Sequence, residues 1–425
     1  MVKAQRMTSA HNKRFAATVD ERLPALYERL SSTISHLVYA AQTSSTTLEN
    51  ALSSLLQSHG FTPQHTAMTH SLVYTRESLD ATQTLLLYND CSPQPDTFAR
   101  WHSFVTYLLT STLYQEVLGD IPVNLVWLLD TTGREPDEKL LFLQKNRELL
   151  RADGCLSTLP TDAPFLALGT KGLLRVELTI RTAPLDHPTR YGSVLPNAAW
   201  RLLWALNTIK DVREEILVEG FYDTLAPMGD AEIELLRTLP DSAETLIHRL
   251  QVEHLLLRLN GFQLSYTQYL LPTCTITALQ SGDGSTDGTT IPAFARASVE
   301  LQLVPDQEPT DIAAKLRHHL DAQGFADVQM AVQASVDVQY TPLHDPFVRL
   351  VVAATRAIYQ ERVPLLPLVA HEPGQYPLHS LLGIPVAFIG SGTPHANPVP
   401  VTEAQSFGDA IKQLAMIIAG MASLS

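Results

Sequence analysis

The strands of this chain do not share one hydrophobic pattern, and the order in which the pattern changes limits the fold more than any other feature. Near the N-terminus, "TQTLLLYND" and "PVNLVWLLD" are apolar runs that close on an acid. Such runs suit strands covered on both faces, as in the parallel sheets of α/β proteins. After Arg181 the strands read differently. "ARASVELQLVP" and "DVQMAVQASVDVQY" alternate apolar and polar residues, the mark of a sheet with one wet face. From "PLHDPFVRLVVAATRAIYQ" onward, buried helices and apolar strands such as "IPVAFIG" return. An α/β layer interrupted by an inserted α+β unit explains this order most simply.

Helical patterns fill the intervals. Residues 18–57 carry apolar residues at three- and four-residue spacing, and "SHG" closes them on a glycine suited to a C-cap. A helix is expected around 100–118 and another over "EKLLFLQKNRELLRADG". In the middle segment "PNAAWRLLWALNTIKDVREEI" is amphipathic, and "EPTDIAAKLRHHLDAQG" has an acidic first turn and a glycine stop. The expected division is 1–182 for the first part of the α/β domain, 183–338 for the insert and 339–425 for the second part.

Composition narrows the function. A formal net charge of −14 over 425 residues leaves no basic surplus for phosphates, which argues against nucleic acid. No apolar run is long enough to span a bilayer, and no polybasic tract suits anionic lipid. The N-terminal stretch has charges but no apolar core, which argues against a secretory signal. Three widely separated cysteines suit a reducing compartment, so the cytoplasm is the expected location.

In order and spacing, the segments resemble the M20 family of zinc-dependent metallopeptidases and amidohydrolases, which includes carnosinase-like dipeptidases, aminoacylases and desuccinylases. "TLLLYNDCSPQP" is similar to the strand and loop of the first zinc motif, and "GDIPVNLVWLLDTTGRE" to the segment ending in the acidic catalytic motif. "RYGSVLPNAAWRLLWALNTIKD", "TTIPAFARASVELQLVPDQEPTDI" and "LGIPVAFIGSG" are similarly close. The resemblance implies an α/β fold with a zinc-exopeptidase-like, three-layer catalytic-type domain and an inserted α+β lid that dimerises.

The resemblance also implies a zinc pair, since two cations polarise a carbonyl and supply hydroxide near neutral pH. Here the residues depart from it. Asp90 and Ser92 stand at the places of the first His and Asp ligands. Asp130 begins the acidic run, but Thr132, Gly133 and Arg134 follow, and Glu135 supplies one acid beside an arginine. "CLSTLP" offers no acid, and Val399 stands at the place of the last His, with Glu403 retained. No metal ligands are therefore assigned, although zinc is the family's cofactor.

The remaining candidates each carry two readings. Asp90 is a substitute acid at a strand end or a loop hydrogen-bonder. Cys91 reads as a buried structural thiol rather than a nucleophile. His187 occupies the lid-histidine position, from which the family's dimeric members stabilise the partner's oxyanion, or it is an exposed loop histidine. In "HEPGQYP" Gly374 matches a carboxylate-binding loop while Gln375 replaces its serine; Gly374 and Asn197 are the binding-residue candidates. The catalytic candidates are Asp90, Glu135 and His187.

The expectation is a pseudo-hydrolase with a binding or assembly role. It would form a homodimer through the lid, or a heterodimer with an active paralogue, and could take a small amino-acid or peptide-like ligand. The alternative is a hydrolase of a small peptide or amide, through rebuilt metal-independent chemistry or an unrecognised metal site.

Overall fold

The computed structural model describes residues 2–66, 71–92, 97–131, 136–159, 161, 164–225, 228–282, 288–371, 375–390 and 402–424. The chain separates into two compact units. The first comprises residues 1–170, 230–241 and 340–425, and the second 171–229 and 242–339.

In the first unit the apolar runs become the middle of a mixed sheet. Its order is Thr62–Gln64, Ser71–Arg76, Asn124–Asp130, Thr84–Asp90, Gly154–Leu159, Val386–Gly390, Leu166–Ala167, Leu365–Leu366. The Thr84–Asp90 strand runs parallel to both Asn124–Asp130 and Gly154–Leu159, and Val386–Gly390 runs parallel to the latter. Six of the seven residues in each acid-ended strand are buried, as unbroken apolar runs require. Helices Val2–Thr43, Thr97–Leu118, Pro346–Tyr359 and Glu403–Met421 pack on one another and close the core around Trp101, Phe104, Trp127 and Phe407. Gly154 is needed where it stands, because a Cβ there would overlap the Phe347 ring.

One polar knot crosses this core. The Asn89 amide donates to Thr158 Oγ1 at 2.8 Å and Ser103 Oγ at 3.2 Å, and its oxygen accepts from Trp127 Nε1 at 2.8 Å. These bonds join three adjacent strands and the Thr97–Leu118 helix, so the strand ends have a fixed register.

The second unit is an antiparallel sheet in the order Thr273–Ser281, Phe294–Leu303, Gly172–Arg181, Gln329–Val336. Val176 faces Val299 and Leu178 faces Ala297, and helices Ala198–Ile209 and Pro309–Ala322 cover that apolar face. The other face is wet and carries the Arg175–Glu300 pair at 2.6 Å. The expected division differs from this one in two places. The break falls at Lys171 rather than after residue 182, because Gly172–Arg181 pairs with Phe294–Leu303 and Gln329–Val336. Residues 230–241 also belong with the first unit. No helix among the described residues is long and apolar enough to cross a membrane.

Candidate functional site

The Asp90 and Asp130 strands are register partners and end side by side, where the C-terminal edge of an α/β sheet places its chemistry. Their carboxylates sit in closed settings. Asp90 Oδ1 accepts from the Ser92 amide at 2.9 Å and from Ser92 Oγ at 2.6 Å, while Oδ2 accepts a short bond from the Arg100 guanidinium. Asp130 Oδ2 lies 3.1 Å from Lys139 Nζ, and both side chains are almost wholly buried, at 0% and 1% exposure. The Cys91 amide donates to the Asp130 carbonyl at 2.7 Å, which ties the two strand ends together.

An aromatic platform lies under Lys139. Its ammonium stands 5.1 Å from the Tyr376 ring centroid, a distance at which the ring quadrupole attracts a desolvated cation. Tyr376 meets Tyr88 edge-on at 5.3 Å, and its hydroxyl is 2.8 Å from Ser71 Oγ. Burial, then the nearby Asp90 and Asp130 charges, push the Tyr88 hydroxyl well above its ordinary pKa. The same causes raise the Cys91 thiol, so the thiolate needed for nucleophilic attack is disfavoured. Gln375 is buried at 6% exposure, yet among the described residues neither its amide nitrogen nor its oxygen has a hydrogen-bond partner.

The other sequence candidates are placed as follows. His187 forms a short strand with Pro188 that pairs with Thr290–Ile291 in the second unit, and it is half-buried. Asn197 is the N-cap of the Ala198–Ile209 helix. Its side-chain oxygen accepts from the Ala199 and Trp200 amides at 2.9 and 3.2 Å, so that oxygen is committed to the cap rather than offered to a ligand. His379 Nδ1 lies 2.9 Å from the Ile384 carbonyl, and His371 is buried. Glu135, Gly374, His395 and Val399 lie outside the described residues. The structure brings Asp90 together with Ser92 and Arg100, and Asp130 with Lys139. Sequence reading missed both cations. The available signal was a basic residue at the fourth position of the helix that follows each strand.

The fold is similar to that of M20-family peptidase structures, with an inserted second unit. The model of the peptidase dimerisation domain of the M20 family matches residues 168–328. A mouse Beta-Ala-His dipeptidase is 24% identical over 218 residues, covering 49% of this chain and 44% of that protein. A Cys-Gly metallodipeptidase of Candida albicans is 23% identical over 289 residues, covering 64% of this chain and 59% of the relative. The chain thus matches less than two thirds of the length of these curated relatives. An M20 family metallo-carboxypeptidase from Sulfolobus solfataricus superposes with a TM-score of 0.75 at 21% identity, covering 89% of this chain and 96% of the other. The M20 resemblance read from the sequence, and the α/β fold class it implied, are both borne out.

The zinc pair that the fold family implies can be tested against the donors present. A zinc site needs carboxylates and imidazoles converging on one point with their lone pairs open. Asp90 is taken up by Arg100 and Ser92, and Asp130 faces Lys139. Among the described residues no three His, Cys, Asp or Glu side chains are grouped so as to hold a metal ion. The described residues at these strand ends do not fit a zinc pair.

Proposed function

We propose that this chain is a non-catalytic relative of the M20 dipeptidases, a pseudo-hydrolase whose scaffold serves binding or assembly. One observation carries the reading: Asp90, at the place of the family's first metal ligand, and Asp130, which begins the acidic run, both face protein cations. A carboxylate already paired in a dry site is a poor metal ligand, because a metal must first displace the cation. The ligand we infer is a small amino-acid or peptide-like molecule. The Gln375 amide, buried with neither donor nor acceptor matched among the described residues, complements the amide or carboxylate of such a molecule.

Assembly is through the second unit. Trp200, Leu203 and Trp204 leave an apolar stripe exposed on the Ala198–Ile209 helix, with the tryptophans 57% and 55% exposed and stacked at 6.0 Å. Exposed aromatic patches of this kind mark association surfaces. The partner is a second copy or an active paralogue, in the cytoplasm. Pull-down from native lysate separates the two, and recovery of the homodimer alone rejects the paralogue.

The names of the relatives favour a second reading, hydrolysis of an amide bond in a small substrate. Elemental analysis of purified protein, with assays on β-Ala-His and Cys-Gly dipeptides in added Zn²⁺ or Mn²⁺, decides between the two. The pseudo-hydrolase reading expects zinc far below one per chain and no turnover; stoichiometric zinc or metal-dependent turnover establishes the second.

A further inference from the structure

The two strand-end aspartates are handled by the same local arrangement, used twice. Asp90 ends a strand, and ten residues later Arg100 stands fourth in helix Thr97–Leu118. Asp130 ends the neighbouring strand, and nine residues later Lys139 stands fourth in helix Pro136–Lys145. A cation in a first turn is a poor choice for the helix itself, because the N-terminal end of the helix dipole is already positive. Both positions therefore work against their helices and need another reason. The carboxylates supply it. Side by side on parallel strands about 4.8 Å apart, two buried negative charges would repel strongly unless each were matched. One guanidinium and one ammonium match the two carboxylates one for one.

We infer that Arg100 and Lys139 are tethered substitutes for metal cations, which balance the strand-end carboxylates from within the chain and make the first unit's stability independent of divalent metal. The inference rests on the pseudo-hydrolase reading and goes beyond it, since a chain could lack zinc without having replaced its charge. Lys139 is the stronger case. It is desolvated with Asp130, and the Tyr376 ring holds it from a second side.

The test is thermal unfolding of the full chain in EDTA, in ZnCl₂ and in MnCl₂. The unaltered protein should melt at the same temperature in all three. Lys139→Met strands a buried carboxylate and should lower Tm by roughly 10 °C. In that variant alone, millimolar Mn²⁺ should recover part of the loss by binding the folded state in place of the lost ammonium. The neutral pair Asp130→Asn with Lys139→Met should melt near the unaltered protein and ignore metal. An unaltered Tm that responds to EDTA or zinc overturns the inference, as does a Lys139→Met variant that keeps its Tm or gains nothing from Mn²⁺. Should Lys139→Met fail to fold, the neutral pair carries the test. A folded, metal-insensitive neutral pair supports charge balance, and an unfolded one overturns it. Zinc content of the unaltered protein separately judges the pseudo-hydrolase reading. A zinc-free chain whose variants behave otherwise sinks the tethered-cation inference alone.

Discussion

The first unit's strand ends and the second unit's sheet have met opposite demands. At the strand ends, charged groups are buried, paired and closed off, with Asp130 and Lys139 removed from water together. In the second unit, charges such as Arg175 and Glu300 stay partly exposed across a wet face, and large aromatics stand on a helix surface. The dimerisation-domain match lies over residues 168–328, largely in the second unit. The contrast teaches that a scaffold and its chemistry separate. Apolar patterning keeps a sheet in place whatever stands at its strand tips, whereas chemistry depends on a few side chains there.

The comparison can be broken most directly at the knot beneath the strand ends. Asn89→Leu leaves Trp127 Nε1 without its acceptor and takes one donor each from the Thr158 and Ser103 hydroxyls, which keep their bonds to the Tyr88 and Arg100 carbonyls. It should cost about 3 kcal/mol in urea unfolding. A loss below about 1 kcal/mol would show that the knot does not set the strand ends. The second unit offers the apolar counterpart. Leu316→Ala, in the middle of its helix–sheet core, should cost about 3 kcal/mol through the cavity it leaves. Equal and complete collapse of both units in either variant would remove the distinction between them.

A pH scan sharpens the same contrast, because the first unit also buries His102. Burial lowers its pKa from 6.5 to about 4, against a small opposing pull from Glu403. Between those values the unfolded chain holds a proton that the folded chain does not. Stability from this group is therefore complete above about pH 6.5 and falls toward pH 4, by up to about 3 kcal/mol. His102→Leu should flatten that part of the profile. An unchanged slope would assign the acid sensitivity to other groups.

Smaller effects are expected in the second unit's helix. Asn197→Ala removes two cap hydrogen bonds and should cost about 1 kcal/mol. Trp200→Ala with Trp204→Ala should leave monomer stability nearly unchanged, since both are over half exposed, yet lower the mass seen by light scattering. An unaltered mass would place association elsewhere.

Much of this was legible in the residues. The unbroken runs 84–90 and 124–130 determined two buried strands, because an apolar run leaves no face for water. The alternating run 294–303 determined a half-covered strand, and the spacing within 198–209 an amphipathic helix. Replacement of the expected ligands at Asp90 and Ser92 could also be read, since it depends only on residue identity. Other features needed the third dimension. Gly172–Arg181 looked like a continuation of the first domain, and only its pairing with Phe294–Leu303 and Gln329–Val336 moved it to the second. Strand membership is set by partners more than a hundred residues away in Phe294–Leu303, which no local pattern encodes. The two cations were visible as letters but not as partners. Whether Arg100 and Lys139 turn to water or to a carboxylate depends on the angle at which each helix leaves its strand. Packing sets that angle, and so tertiary structure alone decided that the acids at these strand tips meet cations supplied by the chain itself.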